Sequence, residues 1–374
     1  MAINTPKVIV ISHLPLPYDG IGSWTTLYDY YLTTDTHQID YIICPEPKKR
    51  YKDITYSCTR TSTVQKIKNK LGTSKSYERI FKALDEVLEK EDAVIIKIID
   101  NAGVVLPLKA YLNDNYQTKH CYLQFYYHGF PPFFGNPKGR LFFAALDETI
   151  LLTHASYKDH LAYYTDLPCA FSVLHNGIDG NLFFKLDHAP RAALRLSLGI
   201  TPKEQVFLWL SQDRPKKGLD FILKIWNSFY KNNPQCKLWV IGADRAENLS
   251  GVTFYGKIPN QELSQYYQAA DVYLYPTLCK EGFGLTLTEA MKSGCYCIAS
   301  ANGGIPEVVQ HGKLAVLISN PNYRQEWEDA MNKTVELFAE NKLQDVFKVP
   351  ENLYNLSTWC AELNTIITKA KDTF

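Results

Sequence analysis

Glu281 and Glu289 stand eight residues apart, on either side of Gly282-Phe283-Gly284-Leu285-Thr286, a glycine-flanked turn that reads as the opening of a helix. Glycines at 282 and 284 let backbone N–H groups come close to a ligand. A helix starting near Thr286 would point its positive end at the same place. The chemistry open to such a segment is to hold a diphosphate, with Glu281 beside whatever the diphosphate carries and Glu289 one helical turn deeper. Each carboxylate has a plainer reading. Glu281 could be a solvated loop charge. Glu289 could close a capping box, because Thr286-Leu287-Thr288-Glu289 has that spacing.

Further groups suit the same chemistry. Lys217 precedes Gly218 at the start of another predicted helix, where an ammonium is a compact charge for a diphosphate. Arg214 and Lys216 lie just before it. Gly20-Ile21-Gly22 follows the first predicted strand and begins a helix, as a loop that approaches phosphate should, although a lone Gly-x-Gly is also an ordinary turn. His128 ends the apolar run 121–127. Tyr255-Gly256-Lys257-Ile258 closes a predicted strand, and Gly303-Gly304-Ile305-Pro306-Glu307 reads as a helix-start turn with Pro306 at its first position.

The elements that must carry these groups follow from the apolar pattern. Short apolar runs alternate with longer amphipathic ones, which predicts parallel sheets covered by helices. Strands are expected at 8–12, 40–44, 93–99, 121–127, 149–153 and 171–174, then at 205–210, 237–241, 252–255, 272–275, 296–300 and 314–318. At 374 residues the chain is long enough for two domains of about 150–200 residues each. His175-Asn176-Gly177-Ile178-Asp179 carries the turn signal between them. The fold class is therefore α/β, with two doubly wound Rossmann-like domains facing across a cleft and ligands at the strand C-termini. The first is expected at 1–178 and the second at 179–354. A last amphipathic helix with Leu356, Trp359, Leu363 and Ile367 on one face, within 355–374, is expected to pack back on the first domain.

Composition narrows the class. A net charge of +1 argues against nucleic acid as a partner. The nine cysteines are odd in number and form no CxxC pair, which favours reduced thiols in the cytoplasm over a disulfide framework or a zinc site. No window has the ~18 uninterrupted apolar residues of a membrane span. A basic stretch between Lys48 and Lys82, with Lys49, Arg50, Lys52, Arg60, Lys66, Lys68, Lys70, Lys75 and Arg79, reads as a solvated face or as a contact with the anionic inner face of a membrane.

The second half resembles the retaining glycosyltransferases of the GT-B fold, glycosyltransferase family 4 in particular. The resemblance rests on Asn176-Gly177-Ile178-Asp179, Lys217-Gly218-Leu219-Asp220, Tyr255-Gly256-Lys257-Ile258, and the Glu281…Glu289 block continued by Ser293-Gly294 and residues 303–307. In the first half it rests on the Gly20–Gly22 loop and His128-Gly129. It implies that Glu281 contacts hydroxyls of a donor sugar, Glu289 the ribose hydroxyls, and Lys217 the diphosphate. It further implies that residues 255–258 hold the base by backbone contacts and that His128 bonds the transferred sugar. One departure stands out. Where the family usually has Gly-Arg, this chain has Ser211-Gln212, leaving Arg214, Lys216 or backbone N–H groups to replace the arginine.

The expected activity is transfer of a sugar from a UDP- or GDP-linked donor to a hydroxyl of a saccharide or lipid-linked acceptor, with retention, in surface-polysaccharide or glycolipid assembly. The donor is a substrate and no cofactor is expected. No metal is expected either, since no Asp-x-Asp motif sits at a plausible strand end. The alternatives are a nucleotide-sugar epimerase or a phosphorylase on the same frame, or a catalytically silent subunit that keeps the nucleotide site. The phosphorylase would need a pyridoxal-binding lysine, and none is identifiable.

Overall fold

The computed structural model describes residues 5–20, 22–59, 77–246 and 248–374. The chain divides into two units: Met1–His175 with Leu356–Phe374, and Asn176–Asn355. Each unit is a parallel sheet between helices.

The first sheet has seven strands: β1 (Lys7–Ile11), β2 (Tyr41–Pro45), β3 (Thr55–Thr59), β4 (Ala93–Ile99), β5 (His120–Tyr127), β6 (Glu148–Leu151) and β7 (Ala170–Val173). Their spatial order is β3-β2-β1-β4-β5-β6-β7, with every pairing parallel. Val94, Ile96 and Ile98 of β4 face Leu84, Leu88, Val104 and Leu108 from the helices Glu78–Leu88 and Ala102–Asn115. Helix Leu356–Lys371, from the end of the chain, belongs to this unit. Its Trp359 meets Tyr28 and Tyr31 of helix Ser23–Leu32 edge to face, with centroids 5.8 and 6.0 Å apart. One buried polar row interrupts the apolar interior. Lys97 Nζ donates to Gln124 Oε1 at 2.6 Å and Gln124 Nε2 to Glu148 Oε2 at 2.6 Å, while Ser172 Oγ donates to Glu148 Oε1, so the row spans β4 to β7.

The second sheet has six strands: β8 (Gln205–Leu210), β9 (Cys236–Ile241), β10 (Val252–Gly256), β11 (Val272–Tyr275), β12 (Tyr296–Ser300) and β13 (Val316–Ile318). The order is β10-β9-β8-β11-β12-β13, again all parallel. Its strands are Val/Leu/Ile/Tyr runs because both faces are covered, by Trp226 and Phe229 of helix Leu219–Asn232 and by Trp327 and Met331 of Arg324–Ala339 on one side. Buried Asp271, at the foot of β11, accepts from Arg191 at 2.7 Å, Arg195 at 2.9 Å and the Val206 N–H at 2.8 Å, which ties helix His188–Ser197 to the sheet.

In each sheet the order reverses once, between β1 and β4 and between β8 and β11. The loops leaving the carboxyl ends of those strands diverge there and leave a crevice, the usual ligand position in open α/β sheets.

Candidate functional site

In the second unit the crevice is edged by the segments that follow β8 and β11, residues 211–218 and 276–284. Two glycines set how closely the loops approach. Gly218 has φ +75°, and a Cβ there would stand 2.0 Å from the Pro276 carbonyl oxygen. Gly303, in the loop after β12, has φ +67°, and its Cβ would stand 2.6 Å from both the backbone N and O of Glu281. Only glycine permits both the backbone conformation and the approach. Hydrogen bonds then join the three loops: Leu278 N–H to Lys216 O at 2.8 Å, Gly304 N–H to Glu281 O at 2.8 Å, and Asn302 Nδ2 to Thr277 O at 3.0 Å.

This scaffold brings Lys217 and Glu281 into contact. Lys217 Nζ donates to Glu281 Oε1 at 2.6 Å, and the same oxygen accepts from Thr277 Oγ1 at 2.9 Å and Cys279 Sγ at 3.2 Å. Burial works against the Glu281 charge, but the Lys217 ammonium and the neighbouring donors outweigh it and hold the carboxyl below its ordinary range. Burial pushes the Cys279 thiol up, which keeps it a protonated donor. The plainer alternative for Glu281, a solvated loop charge, does not describe it: its side chain is 18% exposed and held by three donors.

The helix beyond the turn runs Leu285–Lys292, with Gly284 as its N-cap at φ +81° and no side-chain cap. The capping box that the sequence suggested does not form. Thr288 Oγ1 donates back to the Gly284 carbonyl, while Glu289 accepts from Tyr267 Oη at 3.0 Å, away from the helix start. The N-cap, being a glycine, supplies no side-chain hydrogen bond to the first N–H groups of this helix. Burial raises the Glu289 carboxyl to about 7, against the opposing pull of the Tyr267 hydroxyl. Gly282 is buried and Thr286 half-buried. Phe283 is 2% exposed, with its ring against Tyr354 at 5.1 Å, and Leu285 leans on the core. These two can offer a ligand their backbone only.

The remaining expected residues lie elsewhere. Tyr255, Gly256, Lys257 and Ile258 are at the end of β10, two strands from β8. There Gly242 N–H bonds Gly256 O at 2.6 Å, and Tyr255 packs edge-on against Tyr266 at 5.2 Å. Arg214 is exposed at the head of the short turn Pro215–Lys217, and the hydrogen bonds and ion pairs among the described residues that hold Glu281 come from Lys217, Thr277 and Cys279. The guanidinium that is built into this rim is Arg245, which grips Asp213 at 2.9 and 2.6 Å and also Asp220. Its position in the loop after β9 was the one available sequence signal.

Gly20, Gly22 and His128 belong to the first unit. Gly20 lies against the Tyr18 ring, where a Cβ would come within 2.5 Å. Gly22 caps helix Ser23–Leu32 with extended backbone, and its Cβ would meet Thr25 Oγ1 at 2.6 Å, so contact is what selects glycine there. Ile21 lies outside the described residues. His128 follows β5, and its backbone N–H donates to Asp100 Oδ1 at 2.8 Å while Nδ1 stands 3.2 Å from Asp100 Oδ2. Asp100, after β4, has φ 52°. Sequence reasoning missed Asp100, Tyr267, Thr277, Cys279 and Asn302; of these only Thr277 and Cys279 stand near their partner in sequence, alternating with Glu281 two residues apart. Among the described residues no group of three or more His, Cys, Asp or Glu is placed to hold a metal ion, and no helix is long and apolar enough to cross a membrane.

Comparison with known proteins bears on this geometry. Residues 190–347 match the family model described as glycosyl transferases group 1. A D-inositol 3-phosphate glycosyltransferase of Segniliparus rotundus is 30% identical over 173 residues, 42% of this chain and 38% of that protein. One from Corynebacterium aurimucosum is 28% identical over 207 residues, 51% of this chain and 49% of that protein. The chain thus spans half or less of the length of these curated relatives. Among solved structures, sucrose-phosphate synthase from Thermosynechococcus elongatus superposes with a TM-score of 0.71 at 16% identity, over 99% of this chain and 100% of that one. Anabaena HepE in complex with UDP and glucose gives 0.71 at 15%, over 97% and 100%. At such identities the likeness is one of fold, the GT-B arrangement of two Rossmann-like domains.

Proposed function

Since residues 190–347 match the family model of the glycosyl transferases group 1, we propose that this chain is a retaining glycosyltransferase that uses a nucleoside diphosphate sugar. The observation that carries the reading is the Lys217–Glu281 pair at the strand-order reversal of the second sheet, beside a helix start whose N-cap, Gly284, makes no side-chain cap. Of the three ammonium protons of Lys217, one is on Glu281, and the others are available to a diphosphate. As the bond between the sugar's anomeric carbon and the phosphate oxygen breaks, negative charge grows on the leaving diphosphate. Lys217 and the helix start oppose that charge. The acceptor oxygen bonds the anomeric carbon from the same face, and its proton passes to the departing phosphate oxygen. Glu281 orients the sugar and Glu289 takes the ribose hydroxyls. The charge neutralisation in this scheme comes from protein groups, so transfer should persist in EDTA.

The donor is a UDP- or GDP-sugar. The complex of the Anabaena neighbour with UDP and glucose makes UDP-glucose the first to test. His128 is the group for the transferred sugar and Gly20 and Gly22 serve the donor, while the rest of the first unit takes the acceptor: a hydroxyl of a saccharide or a lipid-linked saccharide in surface-polysaccharide or glycolipid assembly. The setting is the cytoplasm, with peripheral contact to anionic membrane through the stretch from Lys48 to Lys82. In that stretch Lys48 pairs with Asp19 and Arg50 with Glu46, while Arg60, Lys66, Lys68, Lys70 and Lys75 lie outside the described residues. Failure to sediment with anionic vesicles at low salt would remove the membrane contact.

Thermal-shift titration with UDP, GDP and their sugars, followed by transfer assays, tests the main reading. Stabilisation by one nucleotide family, with transfer lost in Glu281→Ala while nucleotide binding persists, is the expected result. Interconversion of the nucleotide sugar without any acceptor would point to an epimerase instead. Nucleotide binding with no turnover of any donor would point to a silent subunit, the reading that Ser211-Gln212 in the usual Gly-Arg place keeps open.

A further inference from the structure

We propose that Thr277 and Cys279 are positioning residues for Glu281, saturating its Oε1 together with Lys217 so that Oε2 is the oxygen presented to a hydroxyl of the transferred sugar. The inference rests on the glycosyl-transfer reading above and assigns roles to two side chains that reading does not use.

Three donors converge on Oε1: Lys217 Nζ at 2.6 Å, Thr277 Oγ1 at 2.9 Å and Cys279 Sγ at 3.2 Å. A carboxylate oxygen has about two lone-pair sites, so these three leave it no capacity for a ligand. Among the described residues no hydrogen bond reaches Oε2. A carboxylate held by one partner alone would turn about its last torsion and offer either oxygen. Three donors on one oxygen stop that rotation before the sugar arrives, and ordering done in advance lowers the barrier to a productive complex.

The donors are themselves immobilised. Thr277 is 1% exposed, so water cannot take the place of its hydroxyl, and its backbone carbonyl is bonded by Asn302 Nδ2 at 3.0 Å. Thr277 and Cys279 flank Leu278, whose N–H is bonded to Lys216 O at 2.8 Å. The clamp therefore spans all three loops. It also answers an electrostatic problem. A carboxylate next to a diphosphate is repelled by it, and the Lys217 ammonium at Oε1 offsets part of the charge that the two oxygens share while Oε2 faces hydroxyl groups.

The rival account is that Thr277 and Cys279 merely hold the 276–284 loop in shape. Thr277→Val keeps the shape of the side chain and removes the hydroxyl, Thr277→Ser returns it, and Cys279→Ala removes the thiol. Four readouts are measured on each purified full-length variant: kcat and KM for the nucleotide sugar, Kd for the nucleoside diphosphate alone, Tm, and the carboxyl titration of Glu281. The titration is followed by 13C-labelled glutamate NMR, with Glu281→Gln giving the assignment. Losing one hydrogen bond to a charged group predicts a roughly 10- to 100-fold fall in kcat/KM for Thr277→Val, largely restored in Thr277→Ser. Kd for the nucleoside diphosphate, which carries no sugar, stays within about twofold, and the Glu281 carboxyl titrates upward. Cys279→Ala shifts the same quantities in the same direction by less, and serves alone if Thr277→Val does not fold.

Unchanged kcat/KM, an equal loss of affinity for the sugar-free nucleotide, or an unmoved carboxyl titration each overturns the proposal. If the wild-type protein ignores every nucleotide sugar, the functional reading falls, and the carboxyl titration still decides whether the clamp exists.

Discussion

Glu289→Gln should make the second unit more stable and a worse binder of nucleotide sugar, with the stability gain confined to one pH range. The Glu289 carboxyl is raised from the ordinary 4.5 to about 7 because burial disfavours its charge and, among the described residues, the Tyr267 hydroxyl alone is bonded to it. The folded state therefore holds a proton that the unfolded state has released between those two values. Stability from this group is highest below 4.5, falls as pH rises toward 7, and stays low above it. At about 1.4 kcal/mol for each pKa unit, the ionised carboxylate costs on the order of 3 kcal/mol at pH 8. Glutamine keeps an acceptor for Tyr267 and removes the charge. In a domain of this size about 3 kcal/mol corresponds to roughly 6–12 °C in Tm. Calorimetric unfolding of both proteins from pH 5 to 8.5 is the assay, with the gap at its full size near pH 8 and nearly closed near pH 5. Donor affinity should move the opposite way, falling about tenfold or more, because the amide replaces a charged acceptor for ribose hydroxyls. A gap that ignores pH, or a glutamine variant less stable at pH 8, would refute the reasoning.

Other perturbations have equally definite outcomes. Lys217→Met should abolish transfer and leave Glu281 buried without its counter-charge, costing the second unit about 3 kcal/mol and raising the Glu281 carboxyl, both readable by denaturation and NMR titration. Gly303→Ala should cost about 1–3 kcal/mol from φ alone, and more from the contact with the Glu281 backbone, with donor binding lost while the first unit unfolds as before. Phe283→Ala should destabilise the second unit by about 3–5 kcal/mol, since a fully buried ring is removed from Tyr354. In the first unit, burial lowers the Lys97 amine to about 8 against the pull of Glu148. Glu148→Gln should therefore cost about 3 kcal/mol at neutral pH, with the loss shrinking as pH rises past about 8 and Lys97 gives up its proton.

The sheets were legible because a strand buried on both faces must be an uninterrupted apolar run. Four such runs in the second half became β8, β9, β11 and β12; β10 and β13, at the sheet edges and only partly buried, came from shorter apolar stretches, and the expected parallel pairing followed. The strand that escaped notice is β3, whose Thr55-Tyr56-Ser57-Cys58-Thr59 lies on the edge of the sheet and carries no apolar run. Helix Ala102–Asn115 was hidden differently: it contains Pro107, an apparent helix breaker. At the site, Lys217, Glu281 and Gly284 drew notice by type and local spacing. Thr277 and Cys279 did not, since their meaning depends on which oxygen of Glu281 they reach. The capping box, the plainer alternative for Glu289, has its spacing satisfied in sequence but does not form, because Tyr267, 22 residues away, supplies the partner that Glu289 takes.

What the chain's order of residues determined by itself is the layer pattern, two parallel sheets, and the candidates able to handle an anionic ligand, because periodicity and backbone freedom act over a few neighbours. The tertiary structure alone decided that an ammonium and a carboxylate 64 residues apart touch, that one carboxylate oxygen is filled and the other open, and that a second carboxyl is lifted toward neutrality. The ion pair and the raised carboxyl depend on contacts between distant segments and on dielectric surroundings, which no short window encodes. Thr277 and Cys279, by contrast, lie four and two residues from Glu281 and needed the folded loop to turn them onto one oxygen.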